Sequence, residues 1–137
     1  DFANCRFLAK AKYTVKFLSE CRTLRLDTSG LDIHSVSIDG TLVTFSLSVP
    51  DKLKPHLGSC LEIALPSTLI IRPGKTSATL LIEYATTKEC SAAQWLPPAQ
   101  TAGKKYPYVF TQCQAIHARS LLPCMDCHSV KLTYDAR

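Results

Sequence analysis

The chain has 137 residues, of which 46% are hydrophobic and 20% are charged, and its formal net charge is +5. This composition is typical of a folded domain and excludes a disordered chain, and the length predicts a single domain, 1–137, with a core of its own. The positive charge is scattered, with no basic run longer than Lys104-Lys105, which argues against a nucleic-acid partner. No apolar run approaches the roughly 20 residues of a membrane helix, so no membrane partner is expected.

Seven cysteines, an odd number, are spread over the whole chain. Because no signal peptide is apparent and at least one cysteine would stay unpaired, reduced thiols and a cytoplasmic location are the simplest interpretation. The chain begins at Asp1 without a methionine and stops at Arg137 just after a strand-like segment. We therefore expect a domain that is truncated at both ends.

The first 85 residues alternate apolar and polar side chains with the period of two that is typical of half-buried strands, and no stretch has the pattern of a three-turn amphipathic helix. The residues predicted to form the core of the early strands are Leu24, Leu26, Ile33 and Val36. The predicted strands are 5–18, 23–27, 33–38, 41–49, 59–65 and 78–84. This pattern predicts an all-β domain with antiparallel hairpins.

Two dipeptides in this region predict tight turns. Asp39-Gly40 lies between two predicted strands, and both of its positions tolerate the positive φ of a two-residue hairpin loop. Pro73-Gly74 fits the central positions of a type II turn, in which glycine supplies the positive φ. A polar, proline-bounded loop is expected at 50–58.

The remaining stretch contains the only tryptophan, Trp95, which we interpret as a core or domain-interface residue. Pro97-Pro98 predicts an extended backbone, and Gly103 to Lys105 predicts a mobile loop. Strands are predicted at 106–111 and 130–134, with a short helical turn or an irregular segment at 115–122 between them.

A long collinear set of residues in this stretch resembles the zinc aminopeptidase family that includes leukotriene A4 hydrolase. The resembling residues are Gln94-Trp95-Leu96, Gln100-Thr-Ala-Gly-Lys104, Pro107-Tyr108, Gln112-Cys-Gln-Ala-Ile-His117, Arg119, Leu122-Pro-Cys124, Asp126 and Ser129-Val-Lys-Leu-Thr-Tyr134. The resemblance implies an amino-terminal β-domain with twisted antiparallel or mixed sheets in a saddle-like or sandwich-like arrangement. It also implies that the zinc lies in a later domain, outside this chain. The chain departs from the family pattern at Ala118 and at Cys127-His128.

Gln112 and Gln114 are candidate substrate-binding residues. In a strand they would point the same way and present two amides side by side, and an amide can both donate to and accept from a peptide. The pattern alone favours two solvent-facing glutamines. The resemblance implies instead that Gln112, Gln114 and Ala115 line the peptide cleft, with Gln114 near the amino end of the substrate.

A zinc cluster is a weaker interpretation of the cysteines and histidines near the carboxyl end, which are Cys113, His117, Cys124, Cys127 and His128. Structural zinc sites usually have two ligand pairs separated by a dozen or more residues, and this spacing is absent. A catalytic Cys-His pair has no support either. No histidine is followed by glutamate, so the His-Glu-x-x-His motif of zinc peptidases is missing, as is the family's Gly-x-Met-Glu-Asn element. We assign no catalytic residue and no metal ligand to this chain.

Arg119 and Asp126 flank a Pro-Cys turn, and we predict that they form an ion pair that holds the loop carrying the glutamines. Two independent surface charges are the alternative.

The sequence as a whole is interpreted as the amino-terminal domain of a zinc aminopeptidase, with the catalytic domain of the same polypeptide and a peptide substrate as partners. The alternatives are a stand-alone β-sandwich protein-interaction module and a small zinc-binding module at the carboxyl end. An exposed apolar patch around Trp95 and Tyr108 would favour a domain over a module.

Overall fold

The alternating pattern of the sequence produces nine β-strands and no α-helix in the computed structural model, which describes residues 1–137. The strands are β1 (Leu8–Lys16), β2 (Thr23–Thr28), β3 (Leu31–Ile38), β4 (Thr41–Leu42), β5 (Phe45–Leu47), β6 (Ser59–Ala64), β7 (Ser77–Thr86), β8 (Ala93–Leu96) and β9 (Tyr108–Thr111). Short 3-10 turns lie at Pro55–Leu57, Pro98–Gln100, Ala102–Lys104 and Ala118–Ser120. No helical segment has the length and apolar character needed to cross a membrane. The predicted all-β class is confirmed.

All strand pairs are antiparallel and form three sheets. The largest sheet has the order β1-β7-β3-β4, the second has the order β2-β6-β5, and β8 pairs with β9 as a separate hairpin. The buried side chains of the two larger sheets belong to one cluster, so these sheets pack against each other. The most deeply buried apolar members are Val36, Leu61, Ile63, Leu80 and Ile82. Fully burying one such side chain stabilises the fold by about 1.5–3 kcal/mol.

Strand β1 shows how the alternation fixes the orientation of a strand. Ala9, Ala11, Tyr13 and Val15 are half-buried against the core, whereas the intervening lysines are exposed. On the exposed face Lys10 lies opposite Glu83 of β7 and forms an ion pair with it at 2.6 Å. A shift of one residue in register would exchange the two faces, so the alternation selects this register.

The Asp39-Gly40 hairpin turn is confirmed, because Ile38 pairs with Thr41 and both turn residues have positive φ, 49° and 82°. The predicted strand at 41–49, however, is divided between two sheets. Strand β4 stays beside β3, whereas β5 pairs with β6. The crossing lies at Val43-Thr44, since the Val43 N–H donates to Val36 O and Thr44 O accepts from the Ala64 N–H.

The strand predicted at 130–134 is wrong: these residues form no regular structure, and 131–137 are exposed. The segment just before them pairs briefly with β2, through the antiparallel bridge between Asp27 and Cys124. A turn closed by the Val130 N–H and Cys127 O then directs the chain away from β2. The alternating pattern at 130–134 therefore has no neighbouring strand, and a strand is not stable alone.

Candidate functional site

The β8–β9 hairpin carries the candidate binding loop, residues 112–115, directly after β9. Trp95 of β8 lies opposite Val109 of β9, and the pairing extends one step beyond β9 because the Gln112 N–H donates to Ala92 O at 2.9 Å. The Trp95 ring packs against Phe2 and Phe7, with centroid distances of 5.1 and 4.9 Å. The hairpin is thus fixed to the amino-terminal segment through Trp95, which is half-buried and lies outside the core cluster of the two larger sheets.

The residues Gln112, Gln114 and Ala115 are all exposed and lie directly after β9, not within a strand. The amide oxygen Oε1 of Gln112 accepts a hydrogen bond from the Gln114 backbone N–H at 2.9 Å, and the peptide bond from Gln114 to Ala115 is cis. The prediction of two parallel amides produced by strand alternation is therefore wrong. The Gln112 side chain folds over its own loop, which leaves the Gln114 side-chain amide as the more available group.

Arg119 and Asp126 form the predicted ion pair. The Arg119 backbone N–H and its Nε both donate to Asp126 Oδ2 at 3.1 Å, and Nη2 donates to Asp126 O at 2.8 Å. Arg119 is buried, with 6% of its surface exposed. Its Nη1 donates to Leu57 O at 2.7 Å and lies 3.7 Å from Asp27 Oδ1. The loop after the glutamines is thereby held to the 3-10 turn at Pro55–Leu57 and to β2.

The sequence did not reveal the contribution of Asp27. Its backbone exchanges two hydrogen bonds with Cys124, at 2.7 and 3.1 Å, and its Oδ2 accepts from the Asp126 N–H at 2.9 Å. The Tyr13 hydroxyl of β1 donates to the neighbouring Pro123 O. Together with Arg119 and the Ser29 N–H, which donates to Arg119 O at 2.8 Å, these long-range contacts join the carboxyl-terminal loop to the main sheets. No local sequence pattern signals them.

The cysteines and histidines of this region do not fit a zinc ion. No group of three or more His, Cys, Asp or Glu side chains is arranged to hold a metal. Zinc needs deprotonated thiols, whereas burial and the nearby Asp126 and Asp27 carboxylates raise the pKa of the Cys124 thiol to about 12. Burial also raises the pKa of the Cys113 thiol. All seven cysteines are free thiols.

The outer face of the hairpin is aromatic. Tyr108 and Phe110 alternate along β9 with 56% and 40% of their surfaces exposed, and their ring centroids are 6.4 Å apart. Tyr106 adds a third exposed ring just before the strand. Exposed apolar patches of this kind often mark sites of protein–protein contact.

The full length of the chain, residues 1–137, matches the family model described as the peptidase M1 N-terminal domain. A leucine aminopeptidase 2 of Yarrowia lipolytica is 41% identical over 135 residues, which are 98% of this chain and 20% of that protein. A leukotriene A-4 hydrolase of Xenopus laevis is also 41% identical over 135 residues, covering 98% of this chain and 21% of that protein. The chain thus spans about one fifth of the length of these relatives.

The fold agrees with solved structures of the same kind. Yeast LTA4 hydrolase in complex with bestatin superposes with a TM-score of 0.82 at 40% identity, over 95% of this chain and 19% of that chain. An M1 zinc metallopeptidase from Deinococcus radiodurans has a TM-score of 0.61 at 18% identity, over 90% of this chain and 25% of that chain, which is a likeness of fold alone. Because the family model covers every residue and close relatives cover nearly all of them, the chain belongs to the peptidase M1 N-terminal domain family.

Proposed function

We propose that this domain forms one wall of the peptide-binding cleft of a zinc aminopeptidase of the leukotriene A4 hydrolase type, and that Gln112, Gln114 and Ala115 contact the peptide. The observation that carries the proposal is the exposed position of these three residues at the end of the β8–β9 hairpin, in a chain that matches the family throughout. Binding residues are frequently found on loops that a rigid β-scaffold positions.

The two glutamines would have different roles in the cleft. The Gln112 Oε1 already accepts the Gln114 N–H, so the remaining hydrogen-bonding capacity of Gln112 is largely that of an amide donor. It is suited to a peptide carbonyl. The Gln114 amide keeps both its oxygen and its NH2 group, and its oxygen suits the amino group at the end of a peptide.

The catalytic chemistry is assigned to another domain of the same polypeptide. Zinc would supply water activation for hydrolysis of the first peptide bond, but the residues of this chain do not fit the metal. The aromatic face of Tyr108 and Phe110, beside the candidate loop, supports contact with that catalytic domain. The seven free thiols support a reducing, cytoplasmic location.

Kinetics of the full-length polypeptide test the proposal. Gln114→Ala should raise KM for a peptide substrate by about tenfold, the effect of losing a hydrogen bond to a charged group. Gln100→Ala, an exposed glutamine in the 3-10 turn at Pro98–Gln100 at the opposite end of the same hairpin, is the matched control and should leave KM unchanged. Equal KM values for wild type and Gln114→Ala would contradict the assigned role.

A further inference from the structure

Two serines connect the β7–β8 link to the candidate binding loop. Ser91 Oγ lies 2.7 Å from His117 Nδ1 and 3.2 Å from Ser120 Oγ. Ser120 Oγ donates in turn to His117 O at 2.8 Å. The three residues therefore form a closed ring of hydrogen bonds, which passes through both the imidazole and the backbone of His117.

The backbone on either side reinforces this ring. The Ala92 N–H donates to Ser120 Oγ at 3.0 Å, while Ala92 O accepts from the Gln112 N–H at 2.9 Å. The dipeptide Ser91-Ala92 thus forms hydrogen bonds with both ends of the loop 112–120. Ser120 is 1% exposed, so its hydroxyl is shielded from competing water.

Within this ring Ser120 donates its one hydroxyl proton to His117 O and accepts the Ala92 N–H. The Ser91 hydroxyl has one proton for its two contacts, so it donates either to Ser120 Oγ or to His117 Nδ1, and the tautomer of His117 decides which.

We propose that Ser91 and Ser120 are positioning residues of the peptide cleft, which hold the loop bearing Gln112, Gln114 and Ala115 through His117. This inference rests on the proposed function. The three loop residues are exposed, and only Cys113 and Ile116 beside them are half-buried, so the hydrogen bonds at the two ends of the loop contribute to fixing their position. A hydrogen bond weakens steeply when its donor and acceptor are displaced, so a shifted loop would bind the peptide less tightly.

The test uses KM and kcat of the full-length polypeptide with a peptide substrate. Ser91→Ala should raise KM by about fivefold, the effect of one lost hydrogen bond, with kcat nearly unchanged. Ser91→Thr keeps the hydroxyl, and the exposed position leaves room for the added methyl group, so this variant should have the wild-type KM. Ser48→Ala is the control, because it too removes an exposed serine hydroxyl that forms a hydrogen bond, here with the Cys60 N–H at 2.8 Å, but it does so at the end of β5 in another sheet.

A double-mutant cycle separates positioning from a general structural role. If Ser91 acts through Gln114, Ser91→Ala should add little to KM in a Gln114→Ala background. Additive effects would overturn the inference. A raised KM in Gln114→Ala with a normal KM in Ser91→Ala would overturn it while the proposed function stands. Normal KM values in both variants would overturn the proposed function and this inference together.

Discussion

Arg119 and Asp126 are joined by three hydrogen bonds, two of which end on the single carboxylate oxygen Oδ2 at 3.1 Å. Both side chains are largely buried, with 7% and 11% of their surfaces exposed. The same arginine reaches Leu57 O, so one guanidinium connects the loop after the glutamines to a turn 62 residues earlier in the chain. This ion pair is one of the fixed points of the carboxyl-terminal loop, beside the backbone pairing of Asp27 with Cys124.

Removal of the Asp126 carboxylate should destabilise the chain strongly. Asp126→Ala leaves the buried Arg119 with only the longer ion pair to Asp27, which is expected to lower the free energy of unfolding by about 3 kcal/mol, measured by urea denaturation. Glu62→Ala is the control, because it breaks the exposed Arg25–Glu62 pair and should cost about 1 kcal/mol or less. Similar losses in the two variants would show that the Arg119 pair is not buried as described.

Alkaline pH should destabilise the chain through Cys124. Burial raises the pKa of this thiol from 9.0 to about 12, so the folded chain holds the proton more tightly than the unfolded chain. The resulting stabilisation is complete below about pH 9 and is lost as the pH rises toward 12, at up to about 1.4 kcal/mol per pH unit. Burial raises the pKa of the Tyr84 hydroxyl to about 12 and adds to the same loss.

The pH dependence is measured as unfolding free energy in urea between pH 8 and pH 11. Cys124→Ala should reduce the loss over this range, whereas Cys127→Ala, at an exposed position, should retain it. An unchanged pH profile in Cys124→Ala would contradict the burial of this thiol.

The same two cysteines should differ in reactivity. Cys127 is exposed, and its bond to the Ser129 hydroxyl at 2.9 Å lowers the pKa of its thiol, which favours the reactive thiolate. Cys124 is buried, with a raised pKa. Brief alkylation with iodoacetamide at neutral pH, followed by peptide mass spectrometry, should therefore label Cys127 well before Cys124. Faster labelling of Cys124 would be incompatible with this packing.

The aromatic face of the hairpin should matter only where another domain covers it. The double substitution Tyr108→Ser and Phe110→Ser should change the unfolding free energy of the isolated chain by about 1 kcal/mol or less, because both rings are exposed there. In the full-length polypeptide the same double substitution should clearly lower the midpoint temperature of thermal unfolding. Leu42→Ser, which is 74% exposed on β4, is the control and should have little effect in either form. No difference between the two forms would contradict a domain interface at this face.

Local features of the fold could be predicted from the sequence. The alternation in β1 and the Asp39-Gly40 turn depend on neighbouring residues, and both are present as expected. The Arg119–Asp126 pair spans only seven residues and was also predicted correctly.

Features that depend on distant partners could not be predicted. The strand at 41–49 is divided because Phe45–Leu47 pairs with β6 of the other sheet, and the segment at 130–134 lacks a partner. The contact of Ser91 with His117 joins residues 26 apart, and no motif marks it. The Gln112 side chain turns toward the Gln114 backbone because the strand has already ended, which strand periodicity alone does not reveal.

A structure of the full-length polypeptide with a bound peptide-like inhibitor tests the central claim most directly. We predict that the Gln114 side-chain amide lies within about 3 Å of the amino end of the inhibitor, with Gln112 and Ala115 against the same ligand. An inhibitor bound with the loop 112–115 facing solvent would show that this domain does not form a wall of the cleft.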